Sequence, residues 1–277
     1  MHVLKPSLLA FSLSLIAACG PNPSQKSDLN ITNGRIVLDS DYPEVVNLYR
    51  RVYQNGKVKG GATCTGTWVA ENTILTAAHC TGDGPSDANG LVENVEIVVF
   101  EITDHTTKPK ATKGITRVVA AYRNKLWEKD KSFNRYDLAI LKTQEIQANE
   151  RPRGAIAISS VPAKLKDSVE IIGFGFNNMS NFGKSGDDLK RVGRNVIDSV
   201  SDGFYGLTGE VKDVASGATG EGSSAGQGDS GGPMLLNGQL VGVASGGGVG
   251  GIFARGQASY VNLSSPESQA FLKSFGL

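Results

Sequence analysis

Short apolar runs separated by turn residues recur along most of the chain. Candidate strands fall at 45–49, 65–70, 73–76, 95–100, 115–121 and 138–142, and a second set at 169–174, 190–198, 234–236, 240–244 and 251–255. The pattern relaxes over 147–162, as a connection between two halves would. Asn237-Gly238 lies between two apolar runs. It predicts a tight hairpin, because both positions of a type I′ turn need a positive φ. A helix is predicted over about 265–276, with Ser265 as its cap, Pro266 in its first position and Ala270, Phe271 and Phe275 on one side. Many short strands at this spacing mean a sandwich or barrels. No internal repeat appears, and no run after the N-terminus is long and apolar enough to span a bilayer.

Composition narrows the picture. The 277 residues suit one large all-β domain or two small ones, and 39% apolar with 20% charged residues argues against wholesale disorder. The 35 glycines follow no fixed period, which excludes collagen and suits turns. A net charge of +1 gives no basic field for nucleic acid, so no nucleic-acid partner is expected. No residue cluster points to a metal, phosphate or redox cofactor, so none is expected.

The N-terminus reads as a targeting segment: Lys5, then an apolar run over 8–18 ending at Cys19. Ile16-Ala17-Ala18-Cys19 resembles the lipobox of bacterial lipoproteins. That resemblance implies a signal peptide over 1–18 and a lipid anchor on Cys19, with Gly20 rather than Asp favouring the outer membrane. An ordinary signal peptide ending near a cysteine is the alternative. Residues 19–30 are polar and Pro/Ser-rich, as a tether would be. The protein is thus expected to be exported, in the cell envelope or secreted. Cys64 and Cys80 remain. Exported chains sit where disulfides persist, and two thiols are too few for a structural zinc site. Two buried free cysteines are the alternative.

Three segments carry the chemistry, in the order His, Asp, Ser: Leu75-Thr76-Ala77-Ala78-His79-Cys80, Tyr136-Asp137-Leu138-Ala139-Ile140-Leu141-Lys142 and Gly226-Gln227-Gly228-Asp229-Ser230-Gly231-Gly232-Pro233. A serine hydroxyl is a poor nucleophile and needs a base. Histidine suits that task at neutral pH. A carboxylate must fix the imidazole and stabilise its charged form. Glycines around the serine let backbone N–H groups turn toward a developing oxyanion, with Gly228 and Ser230 as the donors. Each segment alone has a bland reading: a core histidine, a strand-edge carboxylate, a flexible turn.

Together the segments resemble those of trypsin/chymotrypsin-like serine peptidases, over roughly residues 31–277. The resemblance implies an all-β fold of two packed six-stranded antiparallel barrels, over about 31–146 and 160–262, with the site in the cleft between them and a C-terminal helix. It implies a triad of His79, Asp137 and Ser230 and a disulfide joining Cys64 to Cys80. Gly173-Phe174-Gly175 resembles the Gly-Trp-Gly that starts the second barrel. The family's substrates are proteins and peptides, and a monomer is expected.

Family members are usually made as precursors, and cleavage frees an Ile or Val amine that buries against the Asp before the serine, here Asp229. Ile31-Thr32-Asn33-Gly34 resembles the family's new N-terminus, and Pro43 falls at the matching interval from Ile31. Cleavage after Asn30 is therefore favoured over the alternative start at Ile36 in Arg35-Ile36-Val37. Ser224 falls where the family floors its primary pocket. A serine there cannot select Lys or Arg by charge, so an apolar or aromatic residue before the scissile bond is expected. Ser245-Gly246-Gly247 resembles a pocket wall, with Gly246 in place of the usual Trp, and Gly251 resembles the opposite wall. His105 reads as a solvated loop residue, and Trp127 as a surface-loop residue able to rim the cleft. Two other functions compete: a catalytically silent binding lipoprotein of the envelope, and a structural lipoprotein whose motifs are coincidental. Both would lack a reactive Ser230.

Overall fold

Val45, Leu48, Ile74, Leu75, Ile140 and Leu141 are each at most 2% exposed, and all six lie on strands of a closed barrel. A computed structural model describes residues 31–38, 40–93, 95–102, 112–129, 135–146, 154–175, 189–201, 203–210, 218–250 and 255–277. Cys19, the tether, His105 and Gly251 lie outside the described residues. The barrel consists of β2 (Val45–Gln54), β3 (Lys57–Ala70), β4 (Thr73–Thr76), β5 (Ile97–Ile102), β6 (Thr112–Arg123) and β7 (Ala139–Thr143), after a two-residue β1 (Arg35–Ile36). Its order is β2-β3-β4-β7-β6-β5, antiparallel throughout. Asn55-Gly56, at φ 52° and 71°, turns β2 into β3, a hairpin that the apolar pattern did not mark.

The second half holds β8 (Ser168–Gly173), β9 (Arg191–Val196), β10 (Ser199–Ser201), β11 (Phe204–Gly209), β12 (Pro233–Leu236), β13 (Gln239–Gly250) and β14 (Arg255–Asn262). Its hydrogen-bonded order is β1-β9-β8-β12-β13-β14-β11-β10, an eight-stranded sheet with short strands at both edges. Six strands at its centre match the expected count, but among the described residues the ladder does not close on itself. A side chain spans the seam instead: Asn195 in β9 donates to the carbonyls of Thr208 (3.1 Å) and Ser223 (2.6 Å). The Asn237-Gly238 turn, at φ 53° and 76°, joins β12 to β13 as its sequence requires.

Each half reaches into the other. The strand β1 precedes the barrel yet pairs with β9. The connecting chain runs over the barrel, where Ile156 N donates to Trp68 O (2.9 Å), and then bridges Ile158 to Leu240. The helix α1 (Pro266–Lys273) is capped by the Ser265 hydroxyl, which accepts from Ser268 N, with Pro266 in its first turn. Phe275 just beyond it packs 5.2 Å from the Tyr122 ring of β6. One apolar cluster accordingly draws from both halves, including Leu48, Ile74, Phe174, Leu240 and Leu272. Each such side chain contributes roughly 1.5–3 kcal/mol by burial.

Trp127 corrects an expectation. It is 1% exposed, so it neither rims a cleft nor lies in a surface loop. The reason is Arg123, whose buried guanidinium lies 5.5 Å from the Trp127 ring centre and donates to Gly82 O (3.2 Å). The ring shields a buried cation that fastens the chain just past the histidine segment.

Candidate active site

His79 sits in a single 3-10 turn over Ala78–Thr81, directly after β4. Asp137 lies just ahead of β7, and β4 pairs with β7 along Thr73–Thr76. The barrel ladder thus brings the two side by side. His79 N donates to Asp137 Oδ1 (2.9 Å), and His79 Nδ1 lies 2.7 Å from Asp137 Oδ2. A carboxylate accepts only, so Nδ1 carries a proton, and in the neutral ring Nε2 holds the lone pair. Asp137 is fully buried, and a third donor meets it: Ser245 Oγ–H at 2.6 Å from Oδ2. Sequence reasoning placed Ser245 in a pocket wall and missed this contact, because nothing in Ser245-Gly246-Gly247 marks a hydroxyl pointing at the carboxylate.

Ser230 arrives from the other half on the turn ahead of β12. Its carbonyl accepts from Thr65 N of β3 (2.8 Å), and Thr65 Oγ1 donates to Gly228 O (3.2 Å). Gly228 has φ 92° and Gly231 φ 82°. At Gly231 a Cβ would come within 2.0 Å of Thr76 Oγ1 and 2.3 Å of Thr65 O. Only glycine lets the serine turn approach the histidine strand this closely. Cys64 and Cys80 form a disulfide with a Cα–Cα distance of 6.1 Å. Cys80 Sγ lies 3.9 Å from His79 Nε2 and 3.6 Å from Ser230 O, so the histidine turn and the Ser230 segment meet at one sulfur. Cys64, His79 and Cys80 have their ligand atoms within 4.8 Å of one another, but sulfurs in a disulfide are not thiolates and make no metal site.

Asp229 is 1% exposed. Its Oδ1 accepts from Gly175 N (2.8 Å) and its Oδ2 from Gly226 N (2.9 Å). Burial pushes its carboxyl up to about 6, against the pull of those two bonds and of Arg191. A Cβ on Gly173 or Gly175 would come within 2.0 Å or 2.8 Å of Asp229 Oδ1, which explains both glycines of Gly173-Phe174-Gly175. Ile31 is 1% exposed inside the second half's core, whereas Ile36 is 39% exposed and lies within β1. Thr32 N donates to Ser224 O (2.7 Å), and Ser224 N donates to Thr32 Oγ1 (2.9 Å). Asn33, at φ 55°, accepts from Thr219 N (2.8 Å) through its side chain and from Gly220 N (2.7 Å) through its carbonyl. Ser224 is fully buried, and its hydroxyl has no hydrogen-bond partner among the described residues. The residue facing Gly247 across the β13–β14 ladder is Ala258.

A closed six-stranded β-barrel, packed on a second antiparallel sheet, with histidine, aspartate and serine segments converging between them, defines a protein of the serine-peptidase type. The trypsin family model matches residues 42–263, most of the chain, and the chain belongs to the trypsin family. It is 29% identical over 210 residues to a trypsin of Saccharopolyspora erythraea, covering 73% of this chain and 85% of that one. It is 28% identical over 231 residues to snake venom serine protease KN11 of Trimeresurus stejnegeri (81% and 79%) and 26% identical over 221 residues to trypsin alpha of Drosophila erecta (79% and 77%).

Proposed function

We propose that the chain is a serine endopeptidase in which Ser230 Oγ attacks the scissile carbonyl while His79 Nε2 takes its proton. Asp137 holds the imidazole and stabilises its charged form. The amides of Gly228 and Ser230 receive the oxyanion. His79 then hands the proton to the departing amine, and water hydrolyses the acyl-enzyme by the same steps. The observation that carries this reading is the buried Asp137 carboxylate, fixed on His79 Nδ1 at 2.7 Å and on Ser245 at 2.6 Å beside the Ser230 turn.

The reading includes activation by cleavage after Asn30. Ile31 is already inside the core, and its neighbours Thr32 and Asn33 are already hydrogen-bonded to the segment leading to Ser230. An amine released at Ile31 gives the buried Asp229 carboxyl a cationic partner, which a buried charge needs. Ile36 fits this role poorly, because β1 would have to leave β9. The reading further includes a lipoprotein signal over 1–18, a lipidated tether over 19–30, a peptidase domain from Ile31, export to the cell envelope, and protein or peptide substrates without a charge-selected basic residue. The test is a fluorophosphonate probe on protein with a free Ile31. Labelling of Ser230 that disappears in His79→Ala supports the enzyme, and unlabelled Ser230 overturns it. Mass spectrometry of Cys19 in membrane fractions tests the anchor.

A further inference from the structure

On the peptidase reading above, the residue before the scissile bond lies next to Ser230, where the strand β13 offers a free edge. The strand β12 pairs with β13 only as far as Val243, and Ala244 N donates to Gly232 O (2.8 Å). Beyond that point β13 continues against β14 alone, through Gly250 opposite Arg255. Among the described residues no strand covers the other edge at 245–247, so an extended substrate can add there. Its side chain would enter between Gly247 and Ala225.

That gap is narrow. A Cβ on Gly247 would come 2.7 Å from Ala225 O, so the Gly247 Cα lies within roughly 4.2 Å of that oxygen, given a bond of about 1.5 Å. An atom between two walls keeps about 3.5–4.0 Å from each, so a ring or branched chain needs about 7 Å. The depth below is also filled. A Cβ on Gly256 would come 3.1 Å from Ser224 Cβ, and Ser224 itself is 0% exposed. Ala258 stands directly opposite Gly247, so its methyl lies on the same face of the ladder. It packs in the cluster that also holds Ala225, Ala244 and Tyr260.

We propose that the primary pocket is a shallow one, closed by Ala225, Gly247 and Ala258 over a sealed Ser224, and that the enzyme cleaves after glycine, alanine or serine. This narrows the broader expectation of an apolar or aromatic residue to the small end of that range. The pocket accepts a side chain at its mouth only.

The experiment pairs two readouts on protein beginning at Ile31: fluorophosphonate labelling of Ser230, and cleavage of a peptide library randomised before the scissile bond. The expected result is a labelled Ser230 with cleavage after Ala, Gly and Ser at least about tenfold faster than after Leu or Phe, since pocket discrimination of a methylene runs from about tenfold upward. Ala258→Gly is expected to raise cleavage after Val or Leu relative to Ala by about tenfold. Should that variant fold poorly, Ala258→Ser carries the same test in reverse, shifting preference from Ala toward Gly. A labelled enzyme that prefers Phe, Leu, Lys or Arg overturns the shallow pocket and leaves the peptidase reading standing. An unlabelled Ser230 overturns both.

Discussion

The two halves hold the residues of the proposed triad by different means. In the barrel, His79 and Asp137 flank β4 and β7, which pair with each other along their length. A disulfide between β3 and the histidine turn adds a covalent tie. In the second half, Ser230 and Asp229 lie on a turn that the ladder does not contain. That turn is fixed by single bonds from elsewhere: Thr65 of the barrel, Gly175, and Gly231 N to Ala244 O at 2.7 Å. Just upstream, Ser224 is bonded to Thr32. His79 is thus positioned by regular structure and Ser230 by loop contacts around a buried carboxyl. On the activation reading proposed above, the second half is where activity would be switched.

The largest effects test whether both halves are needed at all. Ser230→Ala and His79→Ala should each lower kcat about a millionfold, and the double variant should be no worse than either, because the groups act as one unit. Single-turnover kinetics on a cleaved ester or peptide reads this. Additive losses would mean that the halves do not meet in one reaction.

Asp229 gives the next effect, on the order of 3 kcal/mol. Its carboxyl sits at about 6 in the uncleaved chain against 3.8 ordinarily. The folded protein therefore holds that proton more tightly than the unfolded one. Stability is fully present below about pH 4 and declines as pH rises from about 4 to about 6. Denaturant midpoints of uncleaved Ser230→Ala protein should show that decline, and Asp229→Asn should flatten it. A free Ile31 amine should remove it by pairing with the charged form. A pH-independent midpoint in the uncleaved chain would place the barrel and the serine turn on equal footing.

Much of this contrast was legible in the chain. The His, Asp and Ser segments, the Asn237-Gly238 turn and the Ser265 cap each depend on local chemistry that a sequence displays. Ile31 was preferred to Ile36 on motif, and the structure buries Ile31 while leaving Ile36 39% exposed. What stayed hidden depends on tertiary neighbours. Among the unmarked elements, β11 alternates buried Tyr205 and Leu207 with half-buried Phe204, Gly206 and Thr208. Its Gly206 makes room for Ser199 of β10, a fit no local pattern displays. The reach of β3 back to Lys57 follows an exposed, glycine-containing stretch, where Gly61 lies against the Tyr49 ring. Trp127 sat among charges and looked like surface until Arg123 supplied a buried cation for it to cover.

Ser245 sharpens the comparison, since it reaches Asp137 from the second half. Its hydroxyl donates to a fully buried carboxylate at 2.6 Å. A hydrogen bond to a charged group is worth about 1.5–3 kcal/mol. Ser245→Ala should therefore lower kcat by about tenfold to a hundredfold with KM little changed, and should move the acidic limb of the kcat–pH profile. A change confined to KM would return Ser245 to the pocket wall alone.

The smallest effect separates the two candidate N-termini within the second half. Ile31 is 1% exposed and packs with Val169, Ile171 and Tyr205, while Ile36 is 39% exposed. In uncleaved Ser230→Ala protein, Ile31→Ser should cost about 1.5–3 kcal/mol of stability, the value of a buried aliphatic side chain. Ile36→Ser should stay within about 0.5 kcal/mol, as surface changes do, because β1 pairs with β9 through its main chain. The same pair of variants, cleaved after Asn30, should differ in activity: Ile36→Ser near wild type and Ile31→Ser impaired, its amine no longer anchored in the core. Equal costs at both positions would mean that the segment docks through its backbone alone. The second half would then depend on Thr32 and Asn33, rather than on an apolar anchor, to bring the amine to Asp229.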